Sequence, residues 1–146
     1  MLLGRSSTKD LNATVLIPIG ARATTSELVR TPGQSPILPG AVRSGDLIIT
    51  SGVIDPALFT DAPTPSLRDQ AQAALDQVLR FVQVAGGSPE TVMKIEAFIA
   101  QPEHVAVWNE VYTAVWPTPG PARTTIVAAF GMPGIEIEIQ ATAVRA

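Results

Sequence analysis

The sequence predicts an α/β (α+β) fold in which a single mixed sheet carries two helices on one face. Three observations support it. Apolar residues recur at helical spacing in two stretches, at Leu67, Ala71, Leu75, Val78 and Val82 and again at Val105, Trp108, Val111, Tyr112 and Val115. Runs rich in β-branched residues surround them, giving the order strand, helix, strand, helix, strand, strand. At 146 residues the chain fits one domain and leaves little room for a second.

In chain order, residues 1–35 read as an N-terminal lead-in with a short strand at 14–19, and residues 36–146 as the main domain. Residues 22–40 are expected to be loop, because Pro32, Gly33, Pro36 and Pro39 break any regular element. Gly45-Asp46 is a turn signal before a strand over 47–54 that Thr50, Ser51 and Gly52 interrupt. Ser66, with Asp69 three residues on, starts the first helix as a capping box does, and Gly86-Gly87 ends it. A strand follows over 91–100. Pro102 and Glu103 open the second helix and Pro117 stops it. The last strands span 124–130 and 135–144, and Gly131-Met132-Pro133-Gly134 between them suggests a hairpin.

Composition narrows the chemistry. The net charge is −3, from 10 Lys and Arg against 13 Asp and Glu, which argues against a nucleic-acid platform. Hydrophobic residues make up 46% and charged residues 16%, below the roughly 25% of an average domain. No apolar run approaches the ~18 residues of a membrane helix, so no membrane partner is expected. The first residues lack the apolar core of a secretory signal, which makes the cytoplasm the expected location. There is no cysteine and one histidine, His104, so thiolate nucleophiles and cysteine- or multi-histidine metal sites are excluded. Catalysis would have to use carboxylates, arginine, hydroxyls, backbone groups and water. The strands at 47–49 and 126–130 read as apolar on both faces, yet two helices cover only one. The second face is expected to be buried by another copy of the chain.

Four segments could carry function. In Pro117-Thr118-Pro119-Gly120-Pro121-Ala122-Arg123-Thr124-Thr125, three prolines stiffen the approach to Arg123 at a strand start. Such an arginine suits a carboxylate clamp, and equally a surface ion pair. Along Ile135-Glu136-Ile137-Glu138-Ile139-Gln140 the isoleucines face one way and the polar residues the other. A carboxylate there is either a general base in a cleft or part of a solvated face. Ser51-Gly52 within a strand marks the close approach of a ligand, or a packing bulge. Asn109 is a site amide or a helix-surface one.

Several stretches together resemble the reactive-intermediate deaminase family, known as RidA or YjgF/YER057c/UK114. They are Ala41-Val42-Arg43-Ser44-Gly45-Asp46-Leu47, Thr50-Ser51-Gly52, and the helix from Gln70 to Ala85-Gly86-Gly87. Asn109-Glu110-Val111-Tyr112, Pro121-Ala122-Arg123-Thr124 and Ile137-Glu138-Ile139-Gln140-Ala141-Thr142-Ala143-Val144 complete the set. The resemblance implies a chorismate-mutase-like fold, assembled as a homotrimer with sites in the clefts between subunits. It implies hydrolysis of enamine or imine intermediates such as 2-aminoacrylate to a keto acid and ammonia, with no metal or organic cofactor. By position, Arg123 matches the arginine that clamps the substrate carboxylate, and Glu138 the carboxylate that activates water. Ser51 and Gly52 match pocket-lining residues, and Asn109 a family asparagine near the site.

The chain also departs from the family. Leu38 stands where a tyrosine often closes over the substrate, Val53 where a glutamine is common, and Thr125 where a cysteine is common. A more apolar pocket and a bulkier substrate follow as expectations, an aminomuconate-like enamine being one candidate. Loss of the tyrosine-type lid also motivates an alternative, a non-catalytic regulatory protein that binds a carboxylate metabolite through Arg123.

Overall fold

The computed structural model describes residues 27–146, so the strand expected at 14–19 lies outside the described residues. β1 (Leu28–Arg30), β2 (Ala41–Ser44) and β3 (Leu47–Thr50) make an antiparallel meander. Gly45, at φ 58°, makes the β2–β3 turn in a backbone conformation that costs glycine nothing. Helix α1 (Leu67–Val84) follows, then β4 (Val92–Ile99), α2 (Val105–Val115), β5 (Ala122–Val127) and β6 (Ile137–Val144).

The Ser66 hydroxyl caps α1 by accepting from the Asp69 N–H at 3.2 Å. At the other end the Gly87 N–H reaches back to the Val82 carbonyl at 2.9 Å, with Gly86 at φ 101°. The apolar stripe of α1 buries Ala71, Ala74, Leu75, Val78 and Val82, and α2 buries Trp108, Val111 and Tyr112. Both meet one face of the sheet, where Ile48, Ile95, Ala97, Ile99, Ile137, Ile139, Ala141 and Ala143 complete the core. The expected single mixed sheet with two helices is the one observed.

Three local expectations are corrected. The sheet order is β1-β2-β3-β6-β4-β5, with β4 and β5 parallel and β6 antiparallel to both β3 and β4. The segment 128–136 is therefore not a hairpin: β4 lies between β5 and β6, and the chain must cross its end to insert β6 at the centre. A glycine-proline turn reverses the chain, but it does not choose the strand that pairs next. Second, β1 takes up part of the supposed loop 22–40, because pairing with β2 gives its backbone groups partners. Third, the strand expected over 47–54 stops at Thr50 and resumes only at Val53, which exchanges hydrogen bonds with Ile139 at 2.8 and 2.9 Å.

The face away from the helices is open in the single chain. Leu47 is 42% exposed, Ile49 51% and Ile126 48%. Pairing places Ile49 opposite Thr142, and Ile126 beside Phe98, which itself faces Glu138. The apolar excess noted in the composition thus sits partly on this surface.

Candidate active site

Glu138 lies near the start of the central strand β6, between Ile137 and Ile139, both fully buried on the helix side. The pleat turns its carboxylate to the other face. There it occupies the space beside Gly52: a Cβ built on Gly52 would collide with Glu138 Oε1 and lie 2.9 Å from Cδ. Glycine at this break in β3 is what lets the carboxylate fit. Ser51 fixes the same break, its hydroxyl donating to the Pro39 carbonyl at 2.6 Å and its N–H to the Gly40 carbonyl at 3.0 Å. No hydrogen bond or ion pair holds the Glu138 carboxylate among the described residues, and burial pushes its pKa above the ordinary 4.5.

Glu138, Ser51, Gly52 and Leu38 together line a pocket of about 260 Å³, completed by Gln34, Ser35, Pro39, Ile54, Phe59, Phe81 and Ile135. Val53 does not line it. Its pairing with Ile139 puts it on the helix side, where it is fully buried, so the expected contribution of Val53 to a greasier pocket is replaced by Ile54, Phe59 and Phe81. Sequence reasoning missed these three because they come from a loop, a turn and a helix that only the tertiary fold brings together.

Arg123 sits elsewhere. On the edge strand β5 it lies beside Ile95, which faces the helices. Its Nη2 donates to Asn109 Oδ1 at 2.7 Å, and its guanidinium carbon lies 4.7 Å from the Tyr112 ring centroid. The Tyr112 hydroxyl donates to the Pro121 carbonyl at 2.8 Å, tying α2 to the start of β5. Burial raises the Tyr112 pKa, with the Arg123 charge partly opposing it. Stacking on one side and the amide on another orient the guanidinium, and the rest of its donors stay free among the described residues. Thr125, two residues on and on the same face, has a buried hydroxyl with no hydrogen-bond partner among the described residues. Tyr112 was read as core alone, yet its place one helical turn from Asn109 puts both on a shared face.

The expected site residues therefore form two groups. Leu38, Ser51, Gly52 and Glu138 converge in one, and Asn109, Arg123 and Thr125 in the other. Arg123 is level with Ile95 and Glu138 with Phe98, on opposite faces and with β4 between them. Two strand spacings and three residues of rise are each about 10 Å. One small molecule cannot touch both groups within one chain.

Two polar neighbours of Glu138 are occupied. Gln140 donates to Glu96 Oε2 at 3.0 Å, and Glu136 lies 3.5 Å from His104 Nε2. The backbone of β6 is set by Gln70 of α1, which is fully buried. Its amide donates to the Pro65 and Gly134 carbonyls at 3.0 and 2.9 Å and accepts from the Glu136 N–H at 2.9 Å.

These features define a single-sheet α+β protein whose candidate site residues fall into two groups on opposite faces of the sheet. The family described as Endoribonuclease L-PSP matches residues 30–145, and the chain belongs to it, the RidA or YjgF/YER057c/UK114 family. A relative from Escherichia coli K12, named as a candidate reactive intermediate deaminase, TdcF, is 32% identical over 127 residues, covering 82% of this chain and 95% of its own. A Dermatophagoides farinae protein named 2-iminobutanoate/2-iminopropanoate deaminase is 29% identical over 121 residues, covering 80% and 94%. The solved structure of a Mycobacterium tuberculosis member of the YjgF/YER057c/UK114 family superposes with a TM-score of 0.69 at 18% identity, over 81% of this chain and 99% of that one. No helix among the described residues is long and apolar enough to cross a membrane.

Proposed function

We propose that the protein is a hydrolytic deaminase of enamine and imine intermediates, of the 2-aminoacrylate/2-iminopropionate type, working in the cytoplasm without a cofactor. The observation that carries this reading is Glu138, an unpartnered carboxylate with a raised pKa beside a pocket of metabolite size. The names of the E. coli and D. farinae relatives support the same reaction class.

The site would be completed by a second copy of the chain, with the Arg123 group of one subunit facing the Glu138 group of the next in a homotrimer. The exposed Leu47, Ile49 and Ile126 favour burial of the open face in such an assembly. Arg123 clamps the substrate carboxylate, and Asn109 holds the arginine in place. Glu138 takes a proton from a water as its oxygen bonds to the imine carbon, and the C=N pair moves to nitrogen. That proton passes to the nitrogen; Glu138 then takes the hydroxyl proton and delivers it to the same nitrogen as the C–N bond breaks, so the hydroxyl becomes the carbonyl and ammonia leaves. A base whose pKa is raised toward neutrality both accepts and returns a proton readily. The imine is already electrophilic, so positioning supplies most of the acceleration.

The test is to generate 2-iminopropionate in situ with a lyase and follow its loss by absorbance. Wild type is expected to accelerate the loss, and Arg123→Ala to lower kcat/KM by about 100-fold; wild type no faster than Arg123→Ala would overturn the reading. Mixed assemblies test the shared site. Refolding Arg123→Ala and Glu138→Gln chains together is expected to restore about a quarter of the activity, since random pairing in a closed ring leaves that share of clefts intact. No recovery in mixed trimers would place both groups in one chain's site. The non-catalytic alternative predicts Arg123-dependent thermal stabilisation by keto acids with no turnover.

A further inference from the structure

The polar groups of the Glu138 pocket are nearly all engaged with backbone. Gln34 donates to the Ile54 carbonyl at 2.6 Å, Ser51 donates to the Pro39 carbonyl, and the Ser35 hydroxyl accepts from the Ile37 N–H at 3.3 Å. Leu38, Pro39, Ile54, Phe59, Phe81 and Ile135 make up the apolar part of the wall. Among the described residues the one ionisable lining side chain is Glu138 itself, and none of them offers a cation to a second anionic group on a ligand.

Phe59 lines this pocket and is 56% exposed. It ends a short turn, Pro56–Phe59, that is closed by its own hydrogen bonds. The Asp55 carboxylate accepts from the Ala57 N–H at 2.8 Å, and the Thr60 hydroxyl donates to the Ala57 carbonyl at 2.8 Å. Gln34, also lining the pocket, hydrogen-bonds the Ile54 backbone. Both segments are therefore braced by hydrogen bonds, and a half-exposed aromatic ring lines the same apolar pocket as the Glu138 carboxylate. A volume of about 260 Å³ lies below the roughly 300 Å³ at which drug-sized sites begin and suits one metabolite side chain.

We infer that this pocket selects imino acids whose imine carbon bears a branched aliphatic or aromatic side chain, with Phe59 as the residue that sets the preference. The inference rests on the deaminase reading and sharpens it. Methyl-bearing 2-iminopropionate leaves the wall wet, and an acidic substituent meets Glu138 without a countercharge. Substrates of the aminomuconate kind, which carry a second carboxylate, are thereby disfavoured.

The experiment uses the full chain and a series of imino acids made in situ from alanine, 2-aminobutyrate, leucine, phenylalanine and glutamate by amino-acid oxidases. Catalysed hydrolysis is measured over the spontaneous rate. The leucine- and phenylalanine-derived imines are expected to exceed the alanine-derived one in kcat/KM by at least about tenfold, with the glutamate-derived imine slowest. Phe59→Ala should cut the leucine-to-alanine ratio about fivefold. A flat series, a fastest methyl or glutamate imine, or a ratio unmoved by Phe59→Ala overturns the inference. If no imine is hydrolysed, the deaminase reading fails on its own, and the pocket is judged by keto-acid binding. A larger thermal shift with 4-methyl-2-oxopentanoate or phenylpyruvate than with pyruvate, lost in Phe59→Ala, upholds it, and equal shifts overturn it.

Discussion

Glu96 and Glu138 occupy neighbouring rows of the same open sheet face, yet their surroundings drive them in opposite directions. Glu96 of β4 faces Gln140 of β6, while Glu138 of β6 faces Phe98 of β4. Gln140 donates to Glu96 at 3.0 Å and Lys94 does so at 3.1 Å, and these two bonds, with the Lys94 charge, hold the Glu96 pKa below its ordinary value. Glu138 faces a ring instead, lies in the space left by Gly52 and finds no donor among the described residues, so burial alone raises its pKa. One residue type on one face becomes a hydrogen-bonded ion-pair partner in one row and an unpartnered carboxylate with a raised pKa in the next. The cross-strand neighbour decides which.

The largest effect should come from removing the odd member. Glu138→Gln is expected to lower imine hydrolysis by about 10²- to 10⁴-fold while the protein stays folded, as a kinetic assay with thermal melts would read. Linkage gives the stability change a sign. Because the folded pKa lies above the unfolded one, the native state binds more protons between the two, and this group's contribution falls as pH rises through that window. The variant should therefore gain stability relative to wild type as pH rises past it. For Glu96 the sign reverses: its contribution is present above the ordinary value and is lost as pH falls through the lowered one.

Next in size is the brace that serves Glu138 more than Glu96. Gln70→Leu leaves the Glu136 N–H and the Pro65 and Gly134 carbonyls without partners, and is expected to cost about 3 kcal/mol in denaturant unfolding. A smaller change tests the comparison itself. Phe98→Lys sets a cation across from Glu138 and should shift the acid limb of the pH–rate profile downward, toward the behaviour of Glu96. An unmoved limb would show that the cross-strand neighbour is not what distinguishes the two. The smallest effect belongs to Gln140→Leu, which should raise the Glu96 pKa, read by NMR titration, and leave that limb in place.

Much of this was legible before any coordinates. The limits of α1 follow from Ser66 and Gly86-Gly87, and α2 runs between Pro102 and Pro117, because caps and proline act on the adjacent backbone. The alternation in β6 placed Ile137 and Ile139 inside and Glu138 on the opposite face, because a strand has a period of two. Both groups of site residues were named, through the residue stretches that resemble the family. Ile54, Phe59, Phe81 and the fully buried Gln70 stayed hidden, since each gains its role from a residue distant in sequence.

The amino-acid sequence alone determined where both helices and four of the six strands lie, which side of β6 is apolar, and that chemistry here must run without thiols or clustered histidines. These depend on local propensity, periodicity and composition. The tertiary structure alone decided that β6 enters between β3 and β4, that Val53 turns inward, and that Arg123 and Glu138 stand on opposite faces of the sheet. Strand order and register are settled by long-range pairing, where burying one apolar face and satisfying every backbone group outweigh a turn signal such as Gly131-Met132-Pro133-Gly134.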